Sequence, residues 1–190
     1  MPKRHPIEPD ADEPALAAPT TLTAAGLFVE YAPFAWRVLR RLGVAEGDTD
    51  DVCQEVFVAV HRRLPEFEGR SSPHTWLFGI CVRVASDHRK RVNARREVTS
   101  ALPPDRAVDA HQEDDLALRE ARAVLDRLLD TLDDDQRAVF VLYELEELPM
   151  SEVATAVGCP LQTAYSRLHA ARRGIDAALH RLHASEAFHG

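Results

Sequence analysis

Apolar residues recur at every third or fourth position along most of the chain, and no segment alternates apolar and polar residues. This spacing places apolar side chains on one face of a helix, whereas a strand needs a period of two. A chain of 190 residues is long enough for one ordinary domain or two small ones. The sequence therefore predicts an all-α fold.

Two stretches lack this periodicity. Residues 1–20 contain five prolines and several acids, and residues 97–115 contain two prolines and six acids. Such composition favours a disordered tail and an inter-domain linker. We therefore expect two small helical domains joined by a flexible acidic linker. The predicted segments are a tail (1–21), a first domain (22–96), the linker (97–115), a second domain (116–184) and a C-terminal tail (185–190).

Capping residues and prolines predict the helix boundaries of the first domain. Pro33 is expected in the first turn of a second helix, and Asp48 at the start of a third that Pro65 ends. Ser72 and Pro73 form an N-cap and first-turn pair for a helix that runs to about residue 91.

The second domain is predicted to contain four helices. They span residues 116–132, 133–148, 151–157 and 161 to about 183, with Asp133 and Ser151 as N-caps and Gly158 in the last turn. A short helix, a glycine turn and a longer helix together indicate a helix-turn-helix.

The last helix has two distinct faces. Its predicted buried stripe is Leu161, Ala164, Leu168, Ala171, Ile175 and Leu179. The opposite face carries Gln162, Ser166, His169 and Arg173, flanked by Thr163 and Arg167. Short polar and cationic side chains of this kind read bases and phosphates in a major groove, although a solvated helix face has the same composition.

Net charge at first argues against a nucleic-acid partner, because the chain carries a formal charge of −8. The positive charge is clustered, however. Residues 81–96 carry six basic residues against one acid, and residues 153–190 carry four arginines against two acids. The chain therefore has two basic patches, although its net charge is negative.

The first basic patch follows a loop, residues 67–72, and a helix that bears Trp76 and Phe78. Aromatic rings beside arginines can hold single-stranded nucleic acid, because bases stack on the rings while arginines follow the backbone. An aromatic residue such as Trp76, at helical spacing with Leu77 and Ile80, is more often a core residue than a base-stacking one.

The helix that begins at Asp48 has a core stripe of Val52, Val56, Ala59 and Val60. Phe57 and Val58 lie outside that stripe and are too apolar for a fully solvated face. Apolar residues bordered by polar ones favour a docking surface for a protein partner.

Cys53, Cys81 and Cys159 are widely spaced and are interpreted as buried thiols, and His180 and His183 as a surface pair. We expect no metal site and no cofactor. The chain carries no nucleophile elbow, phosphate-binding glycine loop or H-E-x-x-H pattern, which argues against an enzyme. No apolar stretch is long enough for a signal core or a membrane span, so we expect a cytoplasmic protein without membrane insertion.

Four motifs together resemble the extracytoplasmic function (ECF) sigma factors of bacterial RNA polymerase. In order along the chain they are YAPFAWRVLRRLGV, DDVCQEVFVAVHRRL, FEGRSSPHTWLFGICVRVASDHRKR and LPMSEVATAVGCPLQTAYSRLHAARR. The resemblance covers about residues 24–92 and 116–183. It implies that the two domains are sigma regions 2 and 4, and that the chain is a transcription initiation factor that reads −10 and −35 promoter elements.

The resemblance also implies roles for individual residues. Docking on the β′ clamp helices and the β subunit of core RNA polymerase would involve Asp48, Asp51, Gln54, Glu55, Phe57, Val58 and His61. Reading and melting of the −10 element would involve Phe67, Arg70, Ser71, Ser72, His74, Trp76, Arg83, Arg89 and Lys90. Reading of the −35 element would involve Gln162, Thr163, Tyr165, Ser166, Arg167, His169, Arg172 and Arg173.

A factor tethered to polymerase gains a high effective concentration at DNA, so we expect the free chain to bind promoter DNA weakly. The resemblance further implies an anti-sigma factor as a partner.

Three alternatives remain open from the residues alone. A stand-alone DNA-binding regulator would need a sensing domain, which the absence of strand and helix alternation disfavours. An enzyme lacks a recognisable motif. A pure protein adaptor leaves the basic patches unexplained.

Overall fold

The computed structural model describes residues 22–99 and 116–187, which form seven α-helices and no strand. This confirms the all-α fold. The helices are α1 (Ala24–Arg41), α2 (Glu46–Arg63), α3 (Pro73–Thr99), α4 (Leu116–Leu129), α5 (Asp134–Phe140), α6 (Met150–Val157) and α7 (Leu161–Ala187). No helix in these ranges is long and apolar enough to cross a membrane. The two predicted tails and the linker lie largely outside the described residues.

Helices α1, α2 and α3 form the N-terminal domain. The prediction that Pro33 begins a separate helix is wrong, because Pro33 lies inside the continuous α1. Ala35, Val38 and Leu39, which follow it, are fully buried. Proline cannot donate a backbone hydrogen bond, and this loss destabilises the interior of a helix. The free energy gained by packing the apolar face of α1 outweighs that loss.

The start of α2 also differs from the prediction. The helix begins at Glu46, two residues before Asp48, and its N-cap Ala45 makes no side-chain hydrogen bond. Glu46 and Asp48 instead occupy the first turn, where acidic side chains interact favourably with the helix dipole. The helix ends at Arg63, and a 3-10 turn that contains Pro65 follows, as the proline predicts.

The start of α3 agrees with its predicted cap. The Ser72 hydroxyl oxygen accepts a hydrogen bond from the Thr75 backbone N–H at 3.0 Å. The helix runs 27 residues to Thr99, beyond the predicted end near residue 91. Residues 97–99 of the expected linker are therefore helical.

Helices α4 to α7 form the C-terminal domain. Asp133 caps α5 as predicted, because its carboxylate accepts a hydrogen bond from the Gln136 N–H at 2.8 Å. The predicted helix over 133–148 is shorter, since a π-helical turn, Val141–Leu145, ends it. Ser151 is not an N-cap. Helix α6 begins one residue earlier, after Pro149, and no side chain caps it.

Gly158 ends α6 in the left-handed conformation, with φ of 69°, and α7 begins three residues later at Leu161. The buried face of α7 is made of Ala164, Leu168, Ala171 and Ala178. Leu161 is wrongly placed in the predicted stripe. It is 48% exposed, at the first residue of α7.

The two domains are in contact. Helix α3 packs against α6, and one continuous cluster of buried apolar side chains includes residues from both domains.

Candidate DNA and polymerase interfaces

The outer face of α7 is polar and open. Gln162, Ser166, His169 and Arg173 are all exposed, on the side away from Ala164 and Leu168. Among the flanking residues, Thr163 is half-buried and Tyr165 is 44% exposed. The α7 face therefore presents hydrogen-bond donors and acceptors at the spacing of successive helical turns, above the Gly158 turn.

Two arginines of α7 are held by neighbouring helices. Arg167 pairs with Asp135 at the start of α5. Arg172 donates to Glu144 at 2.7 Å and lies over the Tyr143 ring, 5.8 Å from its centroid. These pairs set the position of the two guanidinium groups, so each would have to exchange its carboxylate for a phosphate or base on binding DNA.

The loop before α3 contains an aromatic pair. The rings of Phe67 and Trp76 lie 5.0 Å apart, and both side chains are half-buried. Arg70 at the loop tip is strongly exposed and pairs with Glu68 at 2.7 Å. Ser71 is half-buried, and Ser72 caps the helix. The pair offers a surface on which an unpaired base can stack, beside one exposed cation.

The basic residues of α3 point in different directions. Arg83 and Lys90 are exposed, whereas Arg89 turns inward. Arg89 binds Asp134 at 2.9 Å and the Leu42 carbonyl oxygen at 3.2 Å. The exposed cations therefore do not include every arginine of the predicted set.

His74 is half-buried among aromatic rings. Its ring centroid is 4.7 Å from those of Phe34 and Phe78 and 5.6 Å from that of Tyr31. Burial lowers the pKa of His74, although nearby carboxylates, Glu146 foremost, oppose the shift. His74 helps to hold the start of α3 against α1.

The outer face of α2 carries most of the predicted docking residues. Asp51, Gln54, Glu55, Val58 and His61 are exposed. Glu55 pairs with Arg91 at 2.8 Å, and Asp48 lies 3.2 Å from the His88 ring nitrogen. The α2 face thus combines an exposed valine with acidic and amide groups.

Phe57 departs from the other predicted docking residues. It is only 9% exposed and packs edge-on against Phe28, with 4.9 Å between ring centroids. Sequence reasoning missed Phe28, Val29 and Trp36, three exposed apolar residues of α1. Their position outside the buried Ala35, Val38 and Leu39 stripe was the signal that could have identified them.

The thiols are free. Cys81 is fully buried, and burial raises its pKa, whereas Cys53 and Cys159 are half-buried. Within residues 22–99 and 116–187, no three His, Cys, Asp or Glu side chains come together as a metal site.

Comparisons with known proteins match both domains. Residues 27–96 match the Sigma-70 region 2 family, and residues 122–174 match the Sigma-70 region 4 family. The ECF RNA polymerase sigma-E factor of Escherichia coli K12 is 32% identical over 149 residues, which cover 70% of this chain and 74% of that protein.

Solved structures share the arrangement of helices. The sigma factor RpoE of Bartonella quintana, solved with the anti-sigma factor NepR, aligns with a TM-score of 0.65 at 22% identity, over 82% of this chain and 95% of that one. CnrH, solved with the cytosolic domain of CnrY, aligns with a TM-score of 0.61 at 26% identity, over 83% and 88%. The chain belongs to the ECF sigma factors and directs RNA polymerase to specific promoters.

Proposed function

We propose that three surfaces of this sigma factor have separate roles in transcription initiation. The α2 face docks on core polymerase, the loop and α3 read and melt the −10 element, and the α7 face reads the −35 element. The observation that carries the proposal is the α7 face, where Gln162, Ser166, His169 and Arg173 are exposed in successive turns.

Reading of the −35 element requires side chains that reach base edges from the major groove. Gln162 can make two hydrogen bonds to adenine, and Arg173 can make two to guanine. Thr163, Ser166 and His169 lie close enough on α7 to bind phosphates or bases. Tyr165, Arg167 and Arg172 complete the proposed set.

Reading of the −10 element requires a place for an unpaired base. The Phe67 and Trp76 rings supply a stacking surface, while Arg70, Arg83 and Lys90 are exposed nearby to bind phosphates. Flipping a base out of the duplex costs a few kcal/mol, which stacking on the rings and phosphate contacts would offset.

Docking on polymerase is assigned to the α2 face. Val58, 48% exposed, lies among Gln54, Glu55 and His61. An apolar residue within a polar rim is the usual anatomy of a protein interface. Phe57 would act from beneath, by supporting Phe28 and the adjacent α2 backbone. Asp48 and Asp51 extend the acidic part of the face toward the start of α2.

Regulation by an anti-sigma factor is also proposed. It is supported by the similarity to RpoE, which was solved with the anti-sigma factor NepR, and to CnrH, which was solved with the cytosolic domain of CnrY. The partner would cover the α2 face or the DNA-reading faces. We infer that the chain acts in the cytoplasm, where polymerase works, and that it catalyses no reaction itself.

Run-off transcription over fragmented genomic DNA, with purified core polymerase, tests the proposal. Discrete transcripts that require the chain are expected, and their aligned start sites would give both promoter elements. If core polymerase neither binds the chain nor changes its transcripts, the proposed assignment fails.

Two matched pairs of variants separate the surfaces. Val58→Glu should abolish binding to core polymerase, whereas Leu22→Glu, also exposed and just before α1, should not. Gln162→Ala should cost about 1–3 kcal/mol in promoter recognition, because a bidentate base contact is lost. His180→Ala, exposed farther along α7, should leave recognition unchanged.

A further inference from the structure

Two large apolar side chains of the C-terminal domain are left exposed on α7. Leu161 is 48% exposed and Tyr165 is 44% exposed, whereas every other large apolar side chain within residues 120–184 is buried or half-buried. The two residues are four positions apart, a spacing that places both on the same side of a helix. They therefore form one apolar ridge at the start of α7.

The apolar ridge borders the α7 face that is proposed to read the −35 element. Successive residues of a helix are about 100° apart around its axis, so Gln162 lies about 100° from Leu161 and about 60° from Tyr165. On the other side of the ridge, Ala164 and Leu168 are buried. The ridge thus lies between the buried side of α7 and its polar outer face.

The position of the ridge along α7 favours contact with bases. In a helix-turn-helix, the N-terminal residues of the second helix approach base edges in the major groove. Leu161 is the first residue of α7, and Tyr165 lies about one turn later. Residues 160–173 contain three arginines and no acid, so this part of α7 does not repel phosphates.

A shallow hollow lies beside Leu161, between the start of α7 and the outer side of α6. Its lining consists of small, apolar or uncharged residues and contains no charged side chain: Ser151, Ala154, Thr155, Gly158, Cys159, Pro160 and Leu161. The Thr155 hydroxyl already donates to the Ser151 carbonyl oxygen at 2.9 Å. The surroundings of Leu161 therefore suit an apolar group better than a charged one.

Leucine can recognise one feature of a base edge in the major groove. Its side chain has no hydrogen-bond donor or acceptor, and the apolar group that the groove presents is the C5-methyl group of thymine. Gln162, the next residue, can make two hydrogen bonds to adenine, which is the partner of thymine. Leu161 and Gln162 together are therefore suited to A·T pairs.

The ridge is long enough to contact two neighbouring base pairs. Four residues of an α-helix rise about 6 Å along its axis. Successive base pairs of DNA are about 3.4 Å apart. The side chains of Leu161 and Tyr165 can therefore reach methyl groups of one or two adjacent pairs.

We propose that Leu161 is a specificity-determining residue, which selects thymine in the −35 element by packing against its C5-methyl group. The Tyr165 ring extends this apolar contact toward the neighbouring base pair. The inference rests on the proposed role of α7 in reading the −35 element. It adds apolar recognition of thymine to the hydrogen bonds proposed for Gln162 and Arg173.

Replacement of thymine by uracil tests the proposal, because uracil lacks only the C5-methyl group. The −35 element is first located from the aligned start sites of transcripts that require the chain. Each thymine of the element, on either strand, is then replaced singly by uracil. The initial rate of run-off transcription is measured with core polymerase and a subsaturating amount of the chain. The native chain should lose about fourfold in rate at one or two adjacent positions, as expected for one buried methyl group.

Variants of Leu161 assign this loss to its side chain. Leu161→Ala should transcribe thymine and uracil templates at equal rates, because alanine is too short to reach the methyl group. Leu161→Met should still discriminate by about twofold or more, since methionine is apolar and similar in volume. Leu22→Ala, at another exposed leucine just before α1, is the matched control and should keep the full loss. Circular dichroism verifies that each variant remains helical.

Each outcome has a distinct meaning. If uracil causes no loss at any position, or if Leu161→Ala keeps the loss, Leu161 does not select thymine, although transcription that requires the chain would still support the proposed function. A −35 element without an A·T pair would likewise overturn the role of Leu161. If no transcript from unmodified DNA requires the chain, the proposed function itself fails, and the role of Leu161 fails with it.

Discussion

The two domains are both helical, but they are stabilised differently. In the N-terminal domain large side chains fill the centre, and Phe78 is fully buried against Phe34 with 4.6 Å between ring centroids. In the C-terminal domain, the buried face of α7 is mostly alanine, with Leu168 as its one large side chain among the four fully buried there. Small residues let α7 approach its neighbours closely. Large aliphatic side chains outside α7, Leu129, Val139, Val141 and Leu142, are fully buried and fill the rest of that core.

The unfolding of the two domains can be followed with two different spectroscopic signals. Both tryptophans, Trp36 and Trp76, lie in the N-terminal domain, so tryptophan fluorescence follows that domain alone. Far-UV circular dichroism follows both domains. If the domains unfold separately, the two signals assign each loss of stability to one domain; if they unfold together through their shared core, the two signals coincide.

The largest effect is expected at the aromatic centre of the N-terminal domain. Phe78→Ala should lower the free energy of unfolding by about 3–5 kcal/mol, because it leaves a cavity among rings that cannot collapse. Urea unfolding followed by fluorescence measures the loss. Phe28→Ala is the control, since Phe28 is 49% exposed and should cost far less. Equal losses would show that the aromatic centre is not the main support.

A somewhat smaller effect is expected in the C-terminal domain. Leu168→Ala should cost about 2–3 kcal/mol, because it removes the large side chain between α7 and α5. The midpoint of urea unfolding should fall more when it is followed by circular dichroism than when it is followed by fluorescence. Leu161→Ala, a substitution of the same type at an exposed site of α7, should stay within about 0.5 kcal/mol of the native chain. A larger loss of stability on substitution of Leu161 would mean that Leu161 does belong to the buried stripe predicted from the sequence.

Substitutions of the helix N-caps compare the stability of the two domains through the same type of hydrogen bond. Asp133→Ala and Ser72→Ala should each cost about 1 kcal/mol, since each removes one hydrogen bond to an N-terminal amide. Urea unfolding by both signals should assign Asp133 to the C-terminal domain and Ser72 to the N-terminal domain. A fluorescence change caused by Asp133→Ala would mean that the two domains unfold together.

The smallest effect concerns pH. Burial lowers the pKa of His74, so the folded state favours the neutral ring. The unfolded chain takes up the proton first as pH falls below about 6.5, and stability should therefore decline from that pH downward. Glu146, Glu152 and Glu30 oppose the shift, which keeps the effect small.

Thermal unfolding between pH 7 and pH 5.5 measures this decline. His74→Phe keeps a ring beside Phe34 and Phe78 and should flatten the pH dependence. His180→Phe, at an exposed site, should leave the dependence as it is in the native chain. The same slope in all three proteins would exclude His74 as the titrating group.

Local patterns in the sequence were sufficient for the helical class, the helix-turn-helix and two of the caps. Helical periodicity, Ser72, Asp133 and Gly158 act within a few residues of their own position, so their effects can be read from neighbours along the chain. Most exposed residues of the α7 face were predicted for the same reason, since a helix places every third or fourth residue on one side.

Other features required the packed structure. Pro33 continues a helix because buried neighbours hold it, and Phe57 turns inward because Phe28, 29 residues earlier, covers it. The burial of Arg137 depends on the carbonyl end of α1, nearly 100 residues away in the chain. Periodicity assigns a residue to a helix face, but only the tertiary structure decides what that face meets, because contact energies depend on partners distant in sequence.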